Sequence, residues 1–392
     1  MKIFFACHRF PFPPNRGGKI RPFNMILHLS QKHEVVVASI AHTQRELDEG
    51  AGLKEYCAEI YAEVLPEKLR WLQAVRALPT PTPSSVAYFS STRLHQRIKE
   101  AARKTSFDAV MVHCAFAAQY GLEVPARFCL MDFGDLDSGK WLDYSRERSF
   151  PLNLGYGFEA RKLRAYERKV AGIFNYCTLT TEGELDEFNS LMTATPCSVI
   201  PNGVDTDYFQ ASEPNPSHKP VIIFLGRMDY FPNIDGILYF VKDVFPIIQQ
   251  KLPKAELRII GSSPVAVVQK LNERNGVTVT GFVQDVRPYL TDAAVSIAPL
   301  RLARGTQNKI LESIAMGLPV VATSNAAKGV QAVPGEHLLV ADSPDDFAGK
   351  VLDVLQQPNL GRSLAVAARR QIAQSHCWSG SMTLLDGILS GC

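Results

Sequence analysis

Short, wholly apolar runs alternate with longer segments of helical periodicity along this chain, and the series occurs twice. The runs fall at 3–7, 35–40, 109–113, 127–131 and 176–180, and again at 221–225, 256–260, 277–280, 295–298, 319–322 and 338–340. A strand that is apolar on both faces has to be covered on both faces, which is the situation of a parallel sheet with helices on each side. The fold class read from this pattern is α/β, with two doubly wound, Rossmann-like domains. A chain of 392 residues exceeds one ordinary domain and suits two of about 150–200 residues each. The seam is read at Val199-Ile200-Pro201-Asn202-Gly203-Val204-Asp205, where Pro-Asn-Gly is turn chemistry. The polar, proline-containing stretch from Gln210 to Lys219 reads as a linker. The expected domains are residues 1–200 and 201–377.

Composition narrows the class. Hydrophobic content of 46% with 21% charged residues fits a soluble globular protein. A net charge of +3 is too weak to argue for nucleic acid, and it permits contact with an acidic membrane surface. The 8 cysteines include no Cys-x-x-Cys pair, so reduced, buried thiols and a cytoplasmic setting are expected. The apolar run at 3–7 is too short for a signal-peptide core, and no run reaches the roughly 18 residues of a membrane span. Helical segments at 65–78, 92–104 and 158–170 are rich in charge, and their plain reading is a solvated outer face. The sharper reading of the first two, with Lys68, Arg70, Trp71 and Arg76 in the first, is a basic, Trp-bearing surface for the inner face of a membrane.

Ligands of doubly wound domains bind beyond the carboxyl ends of the strands, so the strand-to-loop junctions are the candidate sites. In the second half, strand 221–225 runs into Gly226 and Arg227. Arginine binds two phosphate oxygens through its fork; the alternative is pairing with a nearby carboxylate. Strand 256–260 enters the turn Gly261-Ser262-Ser263-Pro264, which is read as opening a helix with free N–H groups. Gly281-Phe282-Val283 follows the next strand, and the backbone of Phe282 or Val283 is a candidate reader of a nucleobase edge. The richest junction is Pro299 to Val321. A polar loop with Arg304 and Gly305 leads to a helix read as starting near Thr306, which caps it. Gln307 follows, and Lys309 and Glu312 share one helix face. A lysine there balances phosphate charge, and a carboxylate accepts two vicinal ribose hydroxyls.

In the first half, the loop Arg9 to Lys19 is basic and tipped by Gly17 and Gly18. It matches neither Gly-x-Gly-x-x-Gly nor a Walker loop. His113 ends a strand and is placed to face the ligand; the alternative is a hydrogen-bonded structural histidine. Asp132, Asp135 and Asp137 follow the next apolar run. The run Asp135-Leu136-Asp137 reads either as oxygen ligands for a divalent metal or as a helix cap neutralised by Lys140. Arg21, Asp135 and Lys140 are the candidate acceptor contacts.

The segment around Arg304–Val321, with Gly226-Arg227, the Pro-Asn-Gly-Val-Asp seam and the late Trp378, resembles the group 1, family 4 retaining glycosyltransferases over nearly the whole chain. More narrowly, 132–141, 228–233 and 304–317 resemble the exosortase (PEP-CTERM)-associated exopolysaccharide glycosyltransferases. The resemblance implies the GT-B fold, with an acceptor domain and a nucleotide-sugar domain facing across a cleft and a last helix, about 378–392, returning to the first domain. It implies retaining transfer of a hexose from a nucleoside diphosphate to a glycan or lipid-linked acceptor, with no cofactor and no metal. The family's phosphate arginine falls on Arg227 and its glycine loop on Gly17-Gly18. The histidine of its cleft falls on His113. Its lysine six positions after the arginine falls on Asn233, so Lys309 is the candidate second cation. Of its two glutamates eight apart, the second is Glu312, while Arg304 occupies the place of the first.

The mechanism so implied is front-face substitution at the anomeric carbon. Arg227, Lys309 and the helix start at Thr306 stabilise the leaving diphosphate, and His113 holds a sugar hydroxyl. The rival readings are a GT-B sugar-nucleotide 2-epimerase, which cleaves the same bond, and a non-catalytic sugar-nucleotide-binding subunit. An NAD oxidoreductase lacks its glycine fingerprint.

Overall fold

The computed structural model describes residues 1–191, 194–210 and 219–391. Most of the stretch read above as a linker (211–218) lies outside the described residues, as does Cys392. The described chain divides into two compact units, one of residues 1–200 with 382–392 and one of 201–381.

The first unit holds a parallel sheet of strands β1 (Lys2–Cys7), β2 (Glu34–Ala41), β3 (Glu59–Val64), β4 (Phe107–His113), β5 (Ala126–Gly134), β6 (Tyr176–Leu179) and β7 (Cys197–Val199). Their order is β3-β2-β1-β4-β5-β6-β7. The second holds β8 (Val221–Leu225), β9 (Glu256–Ile260), β10 (Val277–Gly281), β11 (Val295–Ala298), β12 (Val320–Ala322) and β13 (Leu339–Val340), in the order β10-β9-β8-β11-β12-β13. Among the described residues, all pairings between these strands are parallel. This is the GT-B architecture of two doubly wound sheets.

Every apolar run of the sequence became a strand, because β1, β4, β8 and β11 are buried almost completely. Each fully buried Val, Leu, Ile or Phe side chain contributes about 1.5–3 kcal/mol. The apolar criterion misses β3 and β7. Both are edge strands, and β3 alternates Glu59, Tyr61 and Glu63 with apolar residues at half-exposed positions. The charged segment at 92–104 forms the helix Thr92–Lys104, with Leu94, Ile98 and Ala101 inward. The segment at 65–78 forms the helix Glu67–Ala77, and its arrangement is inverted: Arg70, Ala74 and Ala77 are buried while Trp71, Leu72 and Val75 are exposed. Among the described residues, no helix is long and apolar enough to cross a membrane, and Cys7, Cys57, Cys114, Cys129, Cys177, Cys197 and Cys377 are free thiols.

The seam has a packing explanation. Within the second unit, Val204 N–H donates to the His376 carbonyl (2.8 Å), and Ser381 Oγ–H donates to the Pro201 carbonyl (2.7 Å). His376 Nδ1–H donates to the Asn202 carbonyl (2.7 Å). Trp378 lies directly on Gly203: a Cβ there would stand 2.6 Å from the Trp378 backbone nitrogen and 2.8 Å from its ring. The helix Trp378–Ser390 starts on this seam, and from Met382 onward it belongs to the first unit. There Asp386 pairs with His28 (2.8 Å) and Lys32 (3.3 Å). Gly203→Ala should cost about 1–3 kcal/mol by overpacking. Differential scanning calorimetry should show melting about 3–10 °C lower; an unchanged melting temperature contradicts the role given to this contact.

Candidate functional site

In the second unit the strand order reverses between β8 and β11. The loops leaving these two neighbouring strands diverge there, which opens a crevice at their carboxyl ends. Arg227 follows β8, and the loop 299–307 follows β11. Gly226 and Gly261 let the ends of β8 and β9 touch: a Cβ on Gly261, which has φ +151°, would stand 1.7 Å from the Gly226 carbonyl oxygen. The Arg227 guanidinium is held by Asp229, with Nε 3.0 Å from Oδ1 and Nη2 on Oδ2. The carboxylate alternative is therefore realised in this structure. Both side chains are more than one-third exposed, and an exposed pair of this kind is worth about 0.2–1 kcal/mol, little against a diphosphate.

Asn233 links the Lys309 ammonium to the backbone at Arg227. Its Nδ2–H donates to the Arg227 carbonyl (2.8 Å) and its Oδ1 accepts from Lys309 Nζ. A Cβ on Gly226 would stand 2.6 Å from the Asn233 amide nitrogen, so the glycine also makes room for this side chain. The Lys309 ammonium lies 4.8 Å from the Phe224 ring centroid. Burial draws Lys309 down to about 7 against the opposing pull of Glu312, and it pushes the Glu312 carboxyl up to about 7 against the pull of Lys309. Burial thus disfavours the charged form of both groups.

The helix does not start at Thr306. It spans Asn308–Ala315, because Gln307 at the N-cap is extended (φ −86°, ψ 93°) and Gly305 before it is left-handed (φ +60°). Thr306 is thus a loop residue. Among the described residues its buried Oγ1 has no partner, and neither has Asn308 Oδ1. Gln307 Nε2–H turns back to the Arg304 carbonyl (3.0 Å). Arg304 and Glu312 are partly buried in the same segment. Gly329 packs onto the loop, for a Cβ there would meet the Gly305 carbonyl oxygen at 1.9 Å. The Gly261 turn also departs from expectation: it leads through Pro264 to a helix of only four residues, Ala266–Gln269, and Gly261 N–H is used by the Gly281 carbonyl. Phe282 is exposed and Val283 partly so, in the loop that follows the edge strand β10.

In the first unit the order reverses between β1 and β4. Gly17 opens the helix Gly17–Ser30, and Gly18 packs on the Arg9 side chain. Arg16 and Lys19 of this basic loop both pair with Glu46, at 2.8 and 2.7 Å. His113, Asp132 and Thr178 are register partners across β4, β5 and β6. His113 Nδ1 donates to Asp132 Oδ2 (2.7 Å) and Thr178 Oγ1–H to Asp132 Oδ1 (2.8 Å). Arg21, expected as an acceptor contact, is instead buried beneath this row. Its Nε and Nη2 bind the Asp132 oxygens at 2.9 and 2.7 Å, and its Nη1 donates to the Ile200 carbonyl (2.7 Å). Burial alone would raise the Asp132 carboxyl; the Arg21 charge and the donated hydrogen bonds overcome it and hold the group well below the usual carboxylate range.

Asp135 and Asp137, read as metal ligands or a cap, and their neighbour Asp132 take separate partners. Asp132 takes Arg21 and His113, Asp135 accepts from Thr180 Oγ1 (2.7 Å), and Asp137 opens the helix Asp137–Glu147 with Lys140 at 3.8 Å. Among the described residues no group of three or more His, Cys, Asp or Glu is placed to hold a metal ion. Sequence reading passed over Asn233 as a link between Lys309 and the Arg227 backbone, and Asp132 as the partner of His113. The signal available for Asp132 was its place directly after an apolar run, as His113 ends another.

Residues 219–357 match the family model described as Glycosyl transferases group 1. The whole chain superposes on sucrose-phosphate synthase from Thermosynechococcus elongatus with a TM-score of 0.75 at 16% identity, covering 100% of this chain and 98% of that one. Anabaena HepE, solved with UDP and glucose, gives 0.73 at 14% identity over 100% of both chains. WaaG, a glycosyltransferase involved in lipopolysaccharide biosynthesis, gives 0.66 at 16% identity over 98% of both. An uncharacterized 44.6 kDa protein in the cps region of Klebsiella pneumoniae is 18% identical over 369 residues, 90% of each chain. Fold and match together define the class of protein, a glycosyltransferase of the GT-B fold. Residues 219–357, in the second unit, are similar to the group 1 glycosyl transferases.

Asp132→Ala leaves Arg21 buried without its carboxylate and should cost about 3–5 kcal/mol in urea unfolding. Because the Asp132 carboxyl is depressed, its contribution is complete above about pH 4 and is lost as pH falls toward its lowered value. A variant within about 1 kcal/mol of the parent at neutral pH contradicts this account.

Proposed function

We propose that the chain is a retaining glycosyltransferase that moves a hexose from a nucleoside diphosphate to a saccharide or lipid-linked saccharide. The observation that carries the reading is that Arg227 and Lys309 both stand at the strand-order reversal of the second unit, with Asn233 bound to the Arg227 backbone carbonyl and to the Lys309 ammonium. A leaving diphosphate needs positive charge at one place, and Arg227 exchanges Asp229 for phosphate oxygens at small cost. Thr306 Oγ1 and the first N–H groups of the helix Asn308–Ala315 add donors to the same crevice. Glu312 is the acceptor for ribose hydroxyls, and the loop at Phe282 and Val283 receives the base. Arg304 adds positive charge near the diphosphate. His113 holds a hydroxyl of the sugar, while Asp135 and Lys140 are left as acceptor contacts. No metal or other cofactor enters the reaction. The UDP and glucose complex of HepE and the cps-region relative support a nucleotide-sugar donor and a role in exopolysaccharide synthesis.

Arg227→Ala and Lys309→Ala should each slow donor turnover by about 10²–10³-fold, in an assay that EDTA leaves unchanged. Wild-type rates in both variants sink the assignment. Sugar-nucleotide affinity, measured by calorimetry, should fall as pH rises through about 7, since the diphosphate prefers the protonated lysine. This dependence should be absent in Lys309→Ala.

The acceptor side of the reading includes an anionic membrane surface. The outward apolar residues Trp71, Leu72, Val75 and Leu78 are joined by Phe150, Leu152, Leu154 and Phe158 on the same unit. Lys162, packed under Phe158, donates to the Ala77 carbonyl (2.8 Å), which ties the two stretches together. Exposed Lys68, Arg76 and Arg161 flank them, each worth about 1 kcal/mol near an anionic surface. Vesicles containing phosphatidylglycerol should bind the protein at least about tenfold more tightly than purely zwitterionic ones. Leu72→Glu with Val75→Glu should abolish binding at an unchanged melting temperature, and equal binding to both vesicle types refutes the contact.

A further inference from the structure

We propose that Asp132 and Arg21 are positioning residues for His113. Together they hold its ring with the proton on Nδ1 and the lone pair on Nε2, so that His113 meets a ligand as an acceptor of a hydroxyl hydrogen bond and not as a general base. The inference rests on the glycosyltransferase reading only for the nature of the ligand, a sugar hydroxyl.

The tautomer follows from the partners. Asp132 is ionised and can only accept, so the nitrogen 2.7 Å from it has to carry the proton. The other ring nitrogen then bears the lone pair, and it has no protein partner among the described residues. Asp132 itself has no freedom to turn. Its two oxygens receive His113, Thr178 and both arms of the Arg21 fork, the last at 2.9 and 2.7 Å. The ring is bracketed from the next strand by Gly134, whose Cβ position would lie 3.5 Å from His113 Cε1.

Arg21 decides between acceptor and base. A lone buried carboxylate would favour the imidazolium and so strengthen the ring as a base. Here the carboxylate is bidentately paired with a buried guanidinium, and the pair presents no net charge to the imidazole. What remains is orientation. The other ring in the neighbourhood, His8, has its centroid 6.1 Å away and is held neutral by burial and by Arg9. It does not supply a charge that would alter this balance.

The test is a long-range ¹H–¹⁵N correlation on the full chain labelled at histidine nitrogens, with His113 assigned by its loss in His113→Asn. The expected spectrum shows His113 protonated at Nδ1 and bare at Nε2. In Asp132→Asn, the amide N–H donates to Nδ1 and the proton moves to Nε2. A wild-type ring protonated at Nε2, or an unchanged tautomer in folded Asp132→Asn, overturns the proposal. The wild-type spectrum decides even if the variant fails to fold. Transfer rates provide the second arm. His113→Asn keeps an oxygen that accepts a hydrogen bond but takes no proton, and it should retain kcat within about 100-fold of wild type, whereas loss of a general base reaches about 10⁴-fold. A loss beyond about 10³-fold assigns His113 as the base and refutes the acceptor role. Failure of the wild type to turn over any sugar nucleotide would count against the glycosyltransferase reading and leave the tautomer result standing.

Discussion

Burial of both faces of the sheets governs everything else in this protein. Strands such as β1, β4, β8 and β11 have no solvated face, so polar and charged groups are excluded from their length and collect at their ends. Where neighbouring strands send their connections to opposite faces, those ends lie in an open crevice. This occurs at β8 and β11 in one unit and at β1 and β4 in the other. The groups argued to bind the diphosphate and the sugar stand on these two short rims, while Phe282 and Val283 follow the edge strand β10 and Asp135 and Lys140 follow β5.

The two rims handle charge in opposite ways. On the first, Asp132, Arg21, His113 and Thr178 form a closed set in which each charge is satisfied. Such a set costs desolvation and returns orientation more than stability. On the second, Lys309 has an amide and an aromatic face as its neighbours and no carboxylate within ion-pair distance among the described contacts. Burial weakens its hold on a proton. A cation kept in that condition gains much from an incoming anion. The first rim suits a fixed neutral ring and the second suits a diphosphate.

Several of these features were open to reading in the chain alone. The apolar runs marked the central strands, and Gly226-Arg227 and Lys309 to Glu312 were found as strand-end and helix-face signals. Others were not. β3 escaped because an edge strand half exposed to water does not need to be apolar. The helix start was placed two residues early because Thr306 is a good cap by type, while the left-handed Gly305 and extended Gln307 keep the backbone from helical geometry until Asn308. Arg21 read as an acceptor contact, since nothing local shows that Asp132, 111 residues away, pairs with it.

The sequence by itself determined the class of fold, the positions of its buried strands and the residue types at their ends. Those follow from local hydrophobic pattern and turn chemistry, which are properties of neighbours in the chain. The tertiary structure alone decided which of those residues meet. Parallel register set His113 beside Asp132 and Thr178, and packing of the helix Gly17–Ser30 brought Arg21 beneath them. The start of the helix Phe231–Tyr239 after β8 put Asn233 between the Arg227 backbone carbonyl and the Lys309 ammonium. These contacts depend on register and crossover between segments far apart in the chain, which composition and periodicity do not encode.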